Sequence, residues 1–168
     1  MMKRRDAGVN LVTWVPAPCE IVRQMLTLAS VSPGDVVYDL GCGDGRVLIS
    51  AVQEFGAARA VGYEVRQDLC DSARDAIRQR RLQHRIRIRN EDLMKADLSS
   101  ASVVSLYLTT EANQLLLDRL ERELRPGSKV VTYLFPVPGW LPDKEIDLER
   151  LSFEEGEFVG KLYLYSIP

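Results

Sequence analysis

The stretch Val36-Val37-Tyr38-Asp39-Leu40-Gly41-Cys42-Gly43-Asp44-Gly45-Arg46 decides how the chain folds. An apolar run ends in an acid, three glycines alternate with other residues, and a helical pattern follows. This predicts a buried strand, a tight turn where backbone approaches a ligand, and a helix start. Ligands in open α/β sheets bind beyond the carboxyl ends of the strands, so this turn is the first candidate site. Its spacing is G-x-G-x-G, not the G-x-G-x-x-G of dinucleotide sites. Asp39 and Asp44 flank it. The entering helix turns its positive dipole end toward the turn, yet a pyrophosphate would meet two carboxylates where it needs donors. A ligand with cationic groups and no phosphate fits better, and S-adenosylmethionine, with a sulfonium, an ammonium and a ribose, is such a ligand.

A chain of 168 residues, 46% hydrophobic and 27% charged, is sized for one globular domain with a real core. The formal net charge of -2 offers no global basicity for nucleic acid. Cys19, Cys42 and Cys70 show neither disulfide nor metal spacing. A reducing cytoplasm, no metal and a monomer are expected. The basic start, Met1 to Arg5, leads into no long apolar run, which predicts neither signal peptide nor membrane anchor.

Around the glycine turn the pattern predicts an irregular arm over residues 1–18 and a single domain over 19–168. Helices are expected at 19–30, 47–55, 67–81 and 111–124 from apolar residues at helical spacing. Strands are expected at 36–40, 59–64, 85–89, 103–108 and 129–135. Alternating strand and helix demand a parallel sheet with right-handed crossovers. Two further extended runs, 145–151 and 158–167, flank the turn Glu154-Glu155-Gly156 and predict an antiparallel hairpin.

The acid-x-Gly-x-Gly-x-Gly turn resembles the first motif of the class I S-adenosylmethionine-dependent methyltransferases. The resemblance covers residues 33–167. It implies a Rossmann-like α/β fold with a seven-stranded sheet ordered 3-2-1-4-5-7-6, the last strand antiparallel and helices on both faces. It also narrows. Trp14-Val15-Pro16-Ala17-Pro18, the glycine turn, and Tyr107-Leu108-Thr109-Thr110-Glu111-Ala112-Asn113 resemble the small archaeal broad-specificity protein-lysine methyltransferases. Those are related to the eukaryotic enzymes that methylate a lysine of the ATP synthase c subunit. Ala17 stands where that family usually has a hydroxyl residue.

Several candidate roles follow. Glu64, at the tip of the second strand, is placed to accept both ribose hydroxyls. A carboxylate at a buried strand tip is costly without a partner, so Asp39 is read as orienting the methionine end. Gly41, Cys42 and Gly43 form the turn, with Cys42 a small residue and not a nucleophile, since no Cys–His pair lies nearby in sequence. By resemblance Asp92 meets the adenine amino group, Trp14, Val15 and Pro16 close over the cofactor, and Tyr107 lies beside the transferable methyl. Tyr107, Thr109 and Asn113 would line a lysine channel. Thr110 is expected to cap the following helix.

The implied reaction is in-line transfer of a methyl group to a lysine ε-amine of a protein, with S-adenosylhomocysteine as product. The arginines Arg78, Arg80, Arg81, Arg85, Arg87 and Arg89 keep a nucleic-acid acceptor open, though cations suit a helix C-terminus and a protected sheet edge. No aromatic residue interleaves them to stack on bases. An RNA methyltransferase, a small-molecule methyltransferase and a cofactor-binding module without transferase activity stay open as alternatives.

Overall fold

A computed structural model describes residues 14–151, 153–154 and 156–168. Of the predicted arm, residues 1–13 lie outside the described residues, as does Glu155 of the predicted hairpin turn.

The strands are β1 (Val36–Leu40), β2 (Arg59–Tyr63), β3 (Ile86–Arg89), β4 (Val103–Leu106), β5 (Lys129–Tyr133), β6 (Lys144–Asp147) and β7 (Lys161–Ser166). They form one seven-stranded sheet in the order β3-β2-β1-β4-β5-β7-β6. The first five are mutually parallel, and β7 is antiparallel to both its neighbours. This is the architecture the resemblance implies.

Alternation along β1 sends successive side chains to opposite faces. On one face Val37 joins α1 (Cys19–Leu28), α2 (Arg46–Gln53) and α3 (Gln67–Gln79) through Ile21, Leu48, Cys70 and Ile77. On the other, Tyr38 and Leu40 meet Leu116 and Leu120 of α4 (Thr110–Glu123). Each fully buried leucine of these layers contributes roughly 1.5–3 kcal/mol. The central strand is thereby buried on both sides, and its C-terminal tip, with the glycine turn, is fixed at the sheet's ligand-binding edge. Gly62 of β2 lets α2 and the turn seat closely: a Cβ there would stand 2.5 Å from both Cys42 Sγ and Leu48 Cδ1.

Several boundaries differ from the expected ones. β4 stops at Leu106, and β5 stops at Tyr133 because the backbone reverses at Leu134. The run expected as strand 145–151 divides at Asp147, whose side chain accepts the Glu149 N–H and starts a single 3-10 turn, Leu148–Arg150. Buried Leu148 draws that turn inward. β6 is therefore short; it pairs antiparallel with β7 as expected, but through a long connection and not a tight turn. Thr109, not Thr110, caps α4: its Oγ1 accepts the Ala112 N–H at 3.2 Å.

Part of the arginine cluster is engaged in contacts within the fold, although all but Arg85 are exposed. Arg85 donates to the carbonyls of Gly56, Ala57 and Ala58, Arg80 to Ala76, and Arg78 pairs with Asp75. Arg87 and Arg89 are the exposed alternation of the edge strand β3.

Candidate active site

At the C-terminal edge of the sheet a cavity of about 380 Å³ opens between residues 14–17, the glycine turn and the ends of β4 and β5. A second, of about 260 Å³, adjoins it around Asp92, Met94 and Leu115. The two share walls at Gly41, Glu64, Val65, Leu93 and Ala112, so they make one elongated cleft.

The glycine turn forms the cleft floor. Gly41, Gly43 and Gly45 all have positive φ, at 90°, 52° and 80°, which L side chains rarely adopt. Gly41 and Cys42 both donate to the Tyr63 carbonyl at 2.9 Å, tying the turn to β2. Glu64, next along that strand, is buried. Its Oε2 accepts the Gly43 N–H at 3.0 Å and its Oε1 the Arg66 N–H at 2.9 Å. A carboxylate has about four acceptor positions, so each oxygen keeps a lone pair for a further donor. Asn90 fixes the strand end by donating to the Glu64 and Val65 carbonyls at 3.0 and 3.1 Å.

Asp39 is buried and is the direct register partner of Ser105 on β4. Burial pushes its carboxyl up to about 7; the Ser105 hydroxyl opposes this in part, and the Glu64 and Asp44 carboxylates add to it. A buried acid with two acidic neighbours suits a ligand that brings a cation. Cys42 is buried, and burial together with Asp39 raises its thiol well above the ordinary range, so it offers no thiolate.

Asp44 does not face the ligand as a free charge. Arg46 holds it with two guanidinium contacts, at 3.0 and 2.6 Å, and extends its remaining arm to the Ala17 carbonyl at 2.9 Å. That clasp ties residues 14–17 to the turn. Trp14 lies so close to the turn that a Cβ on Gly43 would collide with its indole nitrogen. Trp14, Val15 and Pro16 line the cleft. Asp92 lies at the adjoining cavity, its Oδ1 accepting the Met94 N–H at 2.9 Å.

Tyr107 and Thr109 line the main cavity. Tyr107 stacks on Tyr133 with ring centroids 4.7 Å apart, and burial raises both phenols, keeping them neutral. Asn113 is different. It is fully buried and behind the wall, its Nδ2 donating to the Phe135 and Pro136 carbonyls at 3.1 and 3.2 Å. The structure thus brings the other candidates named from the sequence to this cleft, Gly43 through its N–H to Glu64 and not as a lining residue, and sets Asn113 behind the lining. Arg46, Ser105, Leu134 and Phe135 belong to the site and were not anticipated. An arginine two residues after a turn acid and a lone serine in the apolar run Val103-Val104-Ser105-Leu106 are the signals that mark two of them.

A glycine turn with paired acids at the tip of β1, a buried acid just past β2 that accepts from that turn, and an antiparallel β7 define a class I S-adenosylmethionine-dependent methyltransferase. The ANTKMT methyltransferase domain matches residues 39–144, and the chain belongs to that family. It is 40% identical over 156 residues to a protein-lysine N-methyltransferase of Saccharolobus islandicus, covering 93% of this chain and 94% of that one. It is 37% identical over 131 residues to the adenine nucleotide translocase lysine N-methyltransferase of Mus musculus, covering 78% of this chain and 56% of the mouse protein. Among solved structures it resembles an RNA methyltransferase from Salinibacter ruber in complex with S-adenosyl-L-homocysteine. That match has a TM-score of 0.83 and 41% identity and covers 92% of this chain and 94% of the other. The cofactor is S-adenosyl-L-methionine.

Proposed function

We propose that this protein is a protein-lysine methyltransferase. The observation that carries the reading is the uncharged stretch of cleft wall just past β4 and β5, Tyr107, Leu108, Leu134 and Phe135; the charged lining residues Asp39, Asp44, Arg46, Glu64 and Arg66 come from β1, the glycine turn and the segment after β2. A lysine stem is four methylenes with a cationic tip, and such stems bury well against apolar walls. Low-dielectric surroundings also disfavour the ammonium, which must lose its proton before its nitrogen has a lone pair. The likeness to the Saccharolobus enzyme over nearly the whole chain supports the same acceptor.

The bound cofactor supplies an already activated methyl group, so the chain's own work is to bind, orient and exclude water. Glu64 would hold the ribose and Asp92 the adenine amino group, with Asp39 on the methionine end. Gly41, Cys42 and Gly43 shape the floor, while Trp14, Val15 and Pro16 cover it. Tyr107 and the Thr109 hydroxyl would position the amine, whose proton leaves to solvent. Residues 14–18 would act as an arm on the domain 19–168. Free thiols at Cys19, Cys42 and Cys70 support a reducing, cytoplasmic setting, and the reading takes the protein as a monomer. No helix among the described residues is long and apolar enough to cross a membrane.

The Salinibacter relative favours a second reading, with RNA as acceptor. Incubation with methyl-labelled cofactor and cell extract separates the two. Label removed by protease and resistant to RNase is the expected result; label removed by RNase alone contradicts the lysine reading.

A further inference from the structure

The backbone makes a rare turn where β5 reaches the cleft. The Phe135 N–H donates to the Tyr133 carbonyl at 2.9 Å, closing a three-residue ring around Leu134 at φ 68°. Positive-φ γ-turns are rare and strained, and leucine is a poor residue for that region. Such strain persists only where the surroundings over-determine it, and it concentrates at functional sites.

Three separate features hold this turn. Asn113, reaching from the first turn of α4, spends both amide hydrogens on the Phe135 and Pro136 carbonyls. The Leu134 N–H donates to the Lys161 carbonyl at 2.9 Å, continuing the β5–β7 ladder past the strand end. Gly160 leaves room for the Leu134 side chain, which a Cβ there would strike. The outcome is a phenylalanine left 39% exposed on the cleft wall, just past the end of β5, which lies beside β4 and the Tyr107 that follows it. A large apolar ring at the end of a buried strand would ordinarily turn inward, and here buried hydrogen bonds are committed to keeping it out.

We propose that Phe135 is the acceptor-side specificity residue of the cleft and that Asn113 is the positioning residue that sets it there. This rests on the lysine reading above. Phe135 packs the methylene stem of the incoming lysine, and its ring face attracts the cationic head on the way in. Asn113 touches neither cofactor nor acceptor and acts through the backbone of residues 135–136. Its buried amide, which looks catalytic in sequence, therefore governs acceptor recognition at one remove.

The test uses the full chain, labelled cofactor and graded amounts of extract protein as acceptor, with S-adenosylhomocysteine affinity measured by calorimetry. Phe135→Ala should raise the apparent acceptor KM about tenfold and leave S-adenosylhomocysteine affinity within about twofold, and Phe135→Tyr should restore the acceptor KM. Asn113→Ala and, approaching the turn from the other side, Gly160→Ala should show the same split. An unchanged acceptor KM in Phe135→Ala, with protein labelled by the wild type, overturns this inference alone. Parallel loss of cofactor affinity also overturns it, because the turn would then serve the fold or the cofactor. Normal kinetics in Asn113→Ala beside an impaired Phe135→Ala removes the positioning role. Labelling of RNA instead of protein by the wild type overturns the lysine reading itself, and with it the ligand assigned to Phe135.

Discussion

Glu64→Ala is expected to weaken S-adenosylhomocysteine binding roughly tenfold to a thousandfold while the protein stays folded. Two contributions add. The ribose would lose two charge-assisted hydrogen bonds, worth roughly 2–4 kcal/mol together. The glycine turn would lose its own tie, since Glu64 accepts the Gly43 N–H and the Arg66 N–H. An unpartnered Gly43 N–H frees the floor against which the cofactor lies, so the true effect should sit in the upper part of that range. The Tyr63 carbonyl still accepts from Gly41 and Cys42, and Gly62 still seats α2, so the fold survives. Isothermal calorimetry reads the affinity and a melting curve reads the fold. Unchanged affinity would remove Glu64 from the cofactor site.

Asp39→Asn should separate binding from stability in opposite directions. The carboxyl is raised to about 7 in the folded protein by burial, against the Ser105 hydroxyl and with the Glu64 and Asp44 carboxylates. An acid whose folded pKa is raised binds its proton more tightly when folded than when unfolded. Its stabilising contribution is full below the unfolded value near 3.9, and it is lost as pH rises through about 7. Above pH 7 the ligand-free protein therefore carries a costly buried charge, and asparagine removes it. Melting at pH 8 should rise by at least about 2 °C. Cofactor affinity should fall at least about tenfold, because the ammonium loses the carboxylate that balances it. In the wild type, affinity should weaken as pH drops below 7 and Asp39 is protonated; in the variant that slope should flatten. A variant that melts lower at pH 8 and binds normally would contradict both the burial argument and the role.

The layout was legible in sequence because it depends on local signals. The β1 run, its acids and the glycine turn mark the site, and Glu64 follows at the next strand tip. The sheet order was not in any local signal; it came with the resemblance, and the hydrogen-bonded ladders agree with it. Strand ends were misjudged where distant residues decide them. Tyr133 to Phe135 reads as continuous strand, and only Asn113, Gly160 and Lys161, far away in sequence, bend it. Asn113 shows the same limit at a single residue. Its place beside Thr109 at the helix start suggests a cleft-facing group, but the carbonyls of residues 135 and 136 turn its amide inward. The Arg46 clasp also escaped, because its second partner is a backbone carbonyl in the arm, which carries no side-chain signature.

A neutral apolar acceptor end beside a cationic-cofactor site leads to one chemical product. The most direct measurement is complete acid hydrolysis of the protein fraction labelled by this enzyme, followed by amino-acid chromatography of the label. ε-N-methylated lysine carrying the label is the predicted result. Label in another amino acid, or only in nucleosides from the RNA fraction, would contradict the assignment of lysine as the acceptor.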